Sequence, residues 1–522
     1  MPVAADLLSC DVLVVGGGLA GTWAATAAAR EGAHVVLVEK GYCGTSGVTA
    51  TAGPGHWWVP PDPVLRAQAI AKRDAAGLGL SDPRWMARIL ETTWRTLPTL
   101  ARHYRFGRND AGEIQYRALR GPEYLAALRT LTQEAGVTIL DHTPALELLR
   151  HDDGSVAGAG VWRTRAREPL DIRAGAVVLA TGGCAFRSRL LGAANLTGDG
   201  LLMAAELGVP LSGMEFTGYY TVAPAGTTMT RSMSYAFATY FDEQGAEIGV
   251  RAGPEATRDL ARALMQGRVF CHLGRMPTDI RDHIRRISPN VTLVWDRLGI
   301  DPFTQRFEVT MHGEGTVRGT GGLCLNDDAC QTEVAGLFAA GDVASREPVA
   351  GAISGGGSQN SAWALSSGIW AGQGAARHAG GRRSRAFARA GLAGLAASPN
   401  STVRARAVAS WVRTEMLDYD RNLFRTEAKL AASARVLEGL WDAVQSGVHD
   451  AGSDPARARE AVSLVASGRW SLAAARARTE SRGLHQRSDA PHTDPAQAHR
   501  LRVGGLDAVW TRPHQPALES VA

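Results

Sequence analysis

Cysteine and lysine are both scarce in this sequence. The six cysteines, Cys10, Cys43, Cys184, Cys271, Cys324 and Cys330, are scattered over 522 residues, and no two form a CxxC pair. That spacing argues against a disulfide framework, a zinc site and an iron–sulfur cluster held within the chain. A reducing compartment, the cytoplasm, is the simplest expectation. Lys40, Lys72 and Lys429 are the only lysines among 56 basic residues, so the other 53 are arginines. Arginine has GC-rich codons and lysine does not, so the net charge of +5 speaks more of genome composition than of nucleic acid. No basic run is interleaved with aromatics, as stacking on bases requires, and no nucleic-acid partner is expected. Stretches of about 18 apolar residues are also lacking, so no membrane span is expected. The first apolar run, in MPVAADLLSCDVLVVGGG, has no basic segment before it and reads as a strand rather than a signal peptide.

Glycine, by contrast, is abundant at 60 residues, much of it in short clusters that mark tight turns and close approaches of backbone to a ligand. With 45% hydrophobic and 20% charged residues the chain is globular, and its length allows two to four units. Residues 11–15 (DVLVV) and 34–39 (HVVLVE) read as buried parallel strands around an Ala-rich helix over 19–31. Helices are predicted over 82–104 and 123–134, and strands over 137–149, 155–163 and 175–181. From about 213 to 320 the pattern turns mixed, before glycine-ended strand signals return in GLFAAGDVAS (336–345). The implied division is a nucleotide-binding domain in two parts, 1–212 and 321–375, an inserted domain over 213–320, and a helical domain over 376–522 ending in a loose tail. In that last domain Leu423, Leu430, Leu437, Trp441 and Val444 share a helix face, and Asp454-Pro455 opens a further helix.

GGGLAG (16–21) fits GxGxxG through Gly16, Gly18 and Gly21. The motif is weak alone. Here it follows a strand, opens a helix, and has Glu39 at the end of the next strand, which makes it a strong dinucleotide signal. Gly16 permits the turn, Gly18 lets a pyrophosphate reach the backbone, and Gly21 lets helix and strand pack closely. Glu39 accepts from ribose hydroxyls. ATGG (180–183), NLTGDG (195–200) and AAGD (339–342) add further glycine-rich strand ends, more than NAD requires, and so favour FAD. SGGGSQN (354–360) precedes a helix whose N-terminus suits the electron-rich end of a reduced flavin. The candidate cofactor residues are Gly16, Gly18, Gly21, Glu39, Lys40, Ser46, Ala145, Thr181, Gly182, Asp199, Asp342, Ser358 and Gln359. No metal ligands are singled out.

From DVLVVGGGLAG to ARTESRGLHQRSDAP (477–491) the chain resembles the flavoprotein subunits of succinate dehydrogenase and fumarate reductase, with L-aspartate oxidase and adenylylsulfate reductase as relatives. MEF (214–216) and TRDLARALMQG (257–267) match words of the family's capping domain. The resemblance implies an α/β fold: a Rossmann-like FAD-binding domain, an inserted α+β capping domain and a C-terminal helical domain. It also implies hydride transfer at flavin N5.

The same resemblance marks departures. Gly47, in Ser46-Gly47-Val48, stands where the family attaches its flavin through a His, so non-covalent FAD is expected; His56 and Cys43 are the only nearby nucleophiles. Tyr220-Thr221-Val222 replaces a His-Pro-Thr word, Thr230-Arg231-Ser232 a Thr-Glu-Gly word, and Ser354 in GAIS a substrate-clamping Arg. Val317 precedes RGTGGL where a His is expected, and His312 reaches that place only with a gap. Arg258 matches a proton-shuttling Arg. The expected catalytic residues are therefore Arg258, Tyr220 and Arg231, with Arg318 as a further anion partner. Trp57, Trp58, Tyr219 and Tyr220 are candidates for an aromatic wall, core packing being the slightly stronger reading for the two tryptophans. The function implied is an FAD-dependent oxidoreductase acting on a small, anionic organic substrate other than succinate or fumarate. The alternative is an electron-transfer subunit working with a separate electron-transfer protein.

Overall fold

The computed structural model describes residues 6–514, apart from 110, 231–232, 251–252, 254, 288, 381–385, 392, 396–400 and 446. Its central sheet grows from β1 (Asp6–Val15), whose Val12, Leu13 and Val14 are wholly buried. An apolar run of this kind, covered on both faces, suits a parallel strand. β1 pairs in parallel with β2 (Val35–Val38) on one side and with β3 (Glu168–Leu179) on the other. β2 continues in parallel to Thr138–Leu140. Beyond β3 the strands turn antiparallel, through Val156–Arg163 to Ala145–Arg150 and Ala388–Arg389. The last strand of the nucleotide side, β4 (Leu337–Ala339), returns to pair in parallel with the C-terminal end of β3. The carboxyl ends of β1, β2, β3 and β4 therefore open at one edge, where ligands bind in open α/β sheets.

Helix α1 (Leu19–Arg30) covers this sheet and is covered in turn by α2 (Ser358–Ala379). The two helices touch backbone to backbone. A Cβ on Gly368 or Gly372 would collide with the carbonyl oxygens of Ala20 and Ala24.

Between β3 and β4 the chain builds a second, antiparallel sheet of five strands, ordered Tyr220–Pro224, Phe307–Gly313, Val269–His272, Thr239–Phe241 and Glu247–Ile248. It has its own core around Trp295, Leu260, Val309 and Met311, joined by Leu423 and Phe424 from the C-terminal helices. Those helices include Glu427–Gln445, which buries Leu430, Leu437, Trp441 and Val444, and α3 (Pro455–Ala477), capped by the Asp454 carboxylate accepting from the Arg457 N–H.

The conspicuous ARTESRGLHQRSDAP segment locks this region to the MEF loop. Arg478 lies 2.8 Å from Glu215 and 3.1 Å from Glu480, Arg482 lies 2.6 Å from Glu480, and all four are buried. Glu347 stands beside this network. Burial and the neighbouring Glu215 carboxylate push its pKa up to about 7.

The loose tail expected at the C-terminus is not found in the described residues. Leu501–Gly504 and Trp510–Pro513 form a hairpin, and the first strand pairs with Leu211–Ser212. The partner lies almost 300 residues earlier, out of reach of any local pattern. Among the described residues no helix is long and apolar enough to cross a membrane. All six cysteines are free, and no cluster of potential metal ligands occurs among the described residues.

Candidate functional site

A cavity of about 1000 Å³ opens at the carboxyl ends of the parallel strands. The glycine turn between β1 and α1 forms one wall, and each glycine does a different job. Gly16 has φ +107°, a left-handed region open to glycine, and a Cβ there would press on the Ala180 carbonyl. On Gly21 a Cβ would strike the Gly16 carbonyl. Gly18 has nothing within 4 Å of its missing Cβ and borders the cavity. It is the N-cap of α1 and caps with no side chain, so the helix's first N–H groups and positive dipole end are left for an anion.

Glu39, at the end of β2, is 6% exposed and lines the cavity. Its carboxylate accepts from the Gly17 and Gly41 N–H groups, each at 2.6 Å. It thus pins the glycine turn while keeping lone pairs for ribose hydroxyls. Thr181 and Gly182 line the cavity beyond β3, and the Thr181 hydroxyl is buried without a hydrogen-bond partner. Asp342 lines it beyond β4 and accepts from Arg346 Nη1 at 3.2 Å. Ser46, Ala145, Lys40 and Asp199 complete the expected residues found on the wall. Lys40 is already engaged, 2.6 Å from Asp199 and 2.5 Å from Glu460. Burial disfavours its charge, but the two carboxylates outweigh burial and raise its pKa.

Ser358 and Gln359 do not line the cavity; Asn360, Ser361 and Ala364 of the same helix do. The Ser358 hydroxyl donates to Gln359 Oε1 instead. The helix begins at Ser358, three residues earlier than expected, and which of its first residues face inward depends on rotation about the axis. Thr143 also lines the cavity and was missed, since a polar side chain in a turn carries no signature of its own; Asn195 lines it too, the first residue of the NLTGDG stretch, though not among the candidates drawn from it.

Gly47 lies on the wall with open space at its Cβ. Neither alternative nucleophile is beside it on the wall. His56 is wholly buried, where loss of solvation pushes its pKa down to about 3, and its Nε2 lies 3.3 Å from the Tyr124 hydroxyl. Cys43 lies under the Gly17 turn, its pKa pushed up to about 12 by burial first and the Glu39 charge second.

The expected catalytic residues fare less evenly. Tyr220 is buried, donates to the Leu417 carbonyl at 3.0 Å and accepts from Asn422 Nδ2 at 3.0 Å, and burial raises its pKa well above that of a free phenol. This is a correction: Tyr220 is a core residue. Successive side chains of an extended segment point to opposite sides, so its neighbour Tyr219 meets Arg318 instead. Arg258 lies on the helix Ala256–Gln266, pairs with Glu255 at 3.4 Å and sits 5.1 Å over the Phe424 ring, with its Nε buried and unpartnered. It does not line the cavity. Arg231 lies outside the described residues. Trp57 is core, and Trp58 stacks on Trp94 at 4.2 Å, so neither tryptophan borders the cavity. His312 Nε2 lies 2.9 Å from the Thr227 carbonyl.

The cavity suits FAD. The bare Gly18 cradle and uncapped helix fit a pyrophosphate, Glu39 fits the ribose, and the orphaned Thr181 hydroxyl awaits a partner. Comparison with known proteins agrees. Residues 11–228 match the FAD binding domain family, and residues 414–504 match the fumarate reductase flavoprotein C-terminal family. The chain is 32% identical over 549 aligned positions to an L-aspartate oxidase of Mycobacterium tuberculosis, covering 96% of each protein. In fold it is similar to a variant of the E. coli quinol fumarate reductase (TM-score 0.82, 20% identity, 99% of this chain and 98% of that one). It is also similar to the adenylylsulfate reductase of Archaeoglobus fulgidus (TM-score 0.77, 17% identity, 98% and 96%). The chain belongs to the succinate dehydrogenase and fumarate reductase flavoprotein family, and is an FAD-dependent oxidoreductase of that type.

Proposed function

We propose that this protein transfers a hydride between flavin N5 and a small anionic organic molecule other than succinate or fumarate. Bound FAD supplies the hydride chemistry. The chain's own part is to hold and to exclude. Gly18 and the α1 N-terminus take the pyrophosphate, Glu39 the adenosine ribose, and Asp342 a ribityl hydroxyl. The N-terminus of α2, whose N-cap Gly357 offers no side chain, favours negative charge at the nearby end of the flavin. Gly47 leaves the flavin unattached. Of the groups expected to move the substrate proton, Arg258 with its unpartnered Nε remains the candidate and Tyr220 does not.

The observation that carries the choice of substrate is the loss of the dicarboxylate-holding side chains. Tyr220 is turned into the core, and the Ser354 hydroxyl donates to the Arg318 carbonyl at 3.2 Å, so it ties two loops together. A narrower reading within that class, oxidation of L-aspartate, draws on the 32% identity to proteins of that name. Anaerobic mixing of the holoprotein with L-aspartate, succinate and a series of small organic acids separates the two. Flavin bleaching by an acid other than succinate or L-aspartate is expected. Rapid bleaching by succinate overturns the proposal, and rapid bleaching by L-aspartate alone selects the narrower reading. A separate electron-transfer protein as acceptor belongs to the same proposal; turnover that needs an added carrier rather than oxygen supports it.

A further inference from the structure

Resting on the hydride-transfer reading, we infer that Arg318 receives the anionic group of the substrate, and that the substrate presents one carboxylate rather than two. The loop carrying Arg318 is sewn to the loop leading into α2. The Arg318 carbonyl accepts from the Gly355 N–H at 2.9 Å, and Arg346 donates to both the Val317 and the Gly355 carbonyls. Arg346 also donates to Asp342 and Asn360, which line the FAD cavity. The backbone on either side of the two loops is thereby fixed to the cavity wall.

The Arg318 side chain lies directly across Gly356. A Cβ at that position would collide with Arg318 Cδ and stand 2.5 Å from Nε. Glycine at 356 is therefore a condition of this arginine's pose. Three groups hold the guanidinium. Nη1 donates to the Tyr219 hydroxyl at 3.3 Å, the Tyr219 ring centre is 5.2 Å away, and Nε lies 3.6 Å from Glu314. Glu314 is buried: one carboxylate oxygen accepts from the Thr221 hydroxyl, and the other has no hydrogen-bond partner. It acts as a positioning residue. Among the described residues none accepts from Nη2, and the side chain is 27% exposed. A guanidinium is a rigid fork suited to bidentate recognition of a carboxylate, and here its outer edge is unused.

The number of such edges sets the substrate class. Two other arginines reach these loops, Arg346 and, from the helix Pro63–Ala76, Arg73, and both are spent. Arg346 is buried among the carbonyl and carboxylate oxygens already named, and Arg73 donates to the Val349 and Ser354 carbonyls. Among the described residues of these loops one open fork remains, and it fits one anionic group. A second carboxylate would be left desolvated without a partner, which is costly.

The test is equilibrium binding to oxidised holoprotein, read as the perturbation of flavin absorbance on titration with pyruvate and with malonate. Saturable perturbation by pyruvate is expected, with malonate binding no more tightly. Arg318→Ala should raise the pyruvate Kd by at least about tenfold, and Gly356→Ala should do the same by displacing the side chain. Both variants should keep wild-type FAD content and a cooperative unfolding transition, with Arg318→Ala melting somewhat lower because the buried Glu314 carboxylate loses its cation. Arg318→Lys should fall between, keeping the charge but not the fork. A pyruvate Kd within about twofold of wild type in Arg318→Ala overturns the receptor assignment and leaves the hydride-transfer reading standing. Malonate binding at least about tenfold tighter than pyruvate overturns the single-carboxylate class. If neither acid perturbs the wild-type flavin while a neutral compound reduces it, the reading beneath falls as well.

Discussion

At the nucleotide end of the cavity the wall is mostly main chain: Gly16, Gly18, the first turn of α1, and Glu39 pinning the glycine turn through two N–H groups. At the other end, on loops outside the cavity lining that Arg346 ties to it, the site is side chains in a chain of mutual support, with Arg318 over Gly356, Tyr219 and Glu314 beside it, and Arg346 behind. Backbone geometry tolerates few residue types, so the first end keeps its motif while other things change. Side chains can be exchanged between neighbouring strands and loops, so the second end can acquire a new specificity on an old scaffold.

The largest effect should separate two glycines three residues apart. Gly21→Val puts a side chain into the Gly16 carbonyl, and no soluble folded protein is expected on expression. Gly18→Val points into the cavity, so the protein should fold, with near-normal circular dichroism, but purify colourless. If Gly18→Val carries full FAD, the backbone end has been misassigned.

Acid precipitation comes next. Gly47 offers no nucleophile, His56 faces Tyr124 and Cys43 lies beneath the Gly17 turn, so essentially all flavin should appear in the supernatant. Fluorescence retained by the pellet would show a covalent link.

A smaller effect is expected at Glu347. The native state holds a proton to about 7 that the unfolded carboxyl releases near 4.5. Its stability contribution is therefore complete below about 4.5 and is lost as pH rises through about 7. Glu347→Gln keeps a neutral group there, so its melting temperature should fall less than that of wild type between these limits. At pH above 7 the variant should be the more stable, by roughly 1–3 kcal/mol. An unchanged pH profile would place the titration elsewhere.

The smallest effect on turnover belongs to Tyr220→Phe. It leaves the half-buried Leu417 carbonyl without its donor, costing about 1 kcal/mol in denaturant titration, while kcat should stay within about twofold. A large drop in kcat would return Tyr220 to the reaction and erase the contrast between the two ends.

Much of the first end was legible in the order of residues. Gly16, Gly18, Gly21 and Glu39 follow from one strand–turn–helix–strand reading, because each position answers a local steric demand. The buried face of Glu427–Gln445 and the Asp454 cap were legible for the same reason. What was not legible depends on partners far along the chain. Tyr220 turns inward because Tyr220–Pro224 pairs with Val309–Gly313. Leu501–Gly504 is a strand because Leu211–Ser212 waits for it. The Arg318 pose needs Gly356, and nothing near either residue announces the other.

The close seating of α1 on α2 has a consequence for synthesis. The Ala20 and Ala24 surface is finished only when Gly368 and Gly372 arrive, and α2 begins about 330 residues after α1 ends. At roughly 5–20 residues per second the ribosome needs tens of seconds to cover that distance. Throughout that interval the nascent chain shows a bare, apolar helix with small residues along one side, a surface suited to chaperones or to aggregation. Truncated chains ending before α2 should therefore be recovered as insoluble material, and the yield of the full chain should rise with chaperone supply.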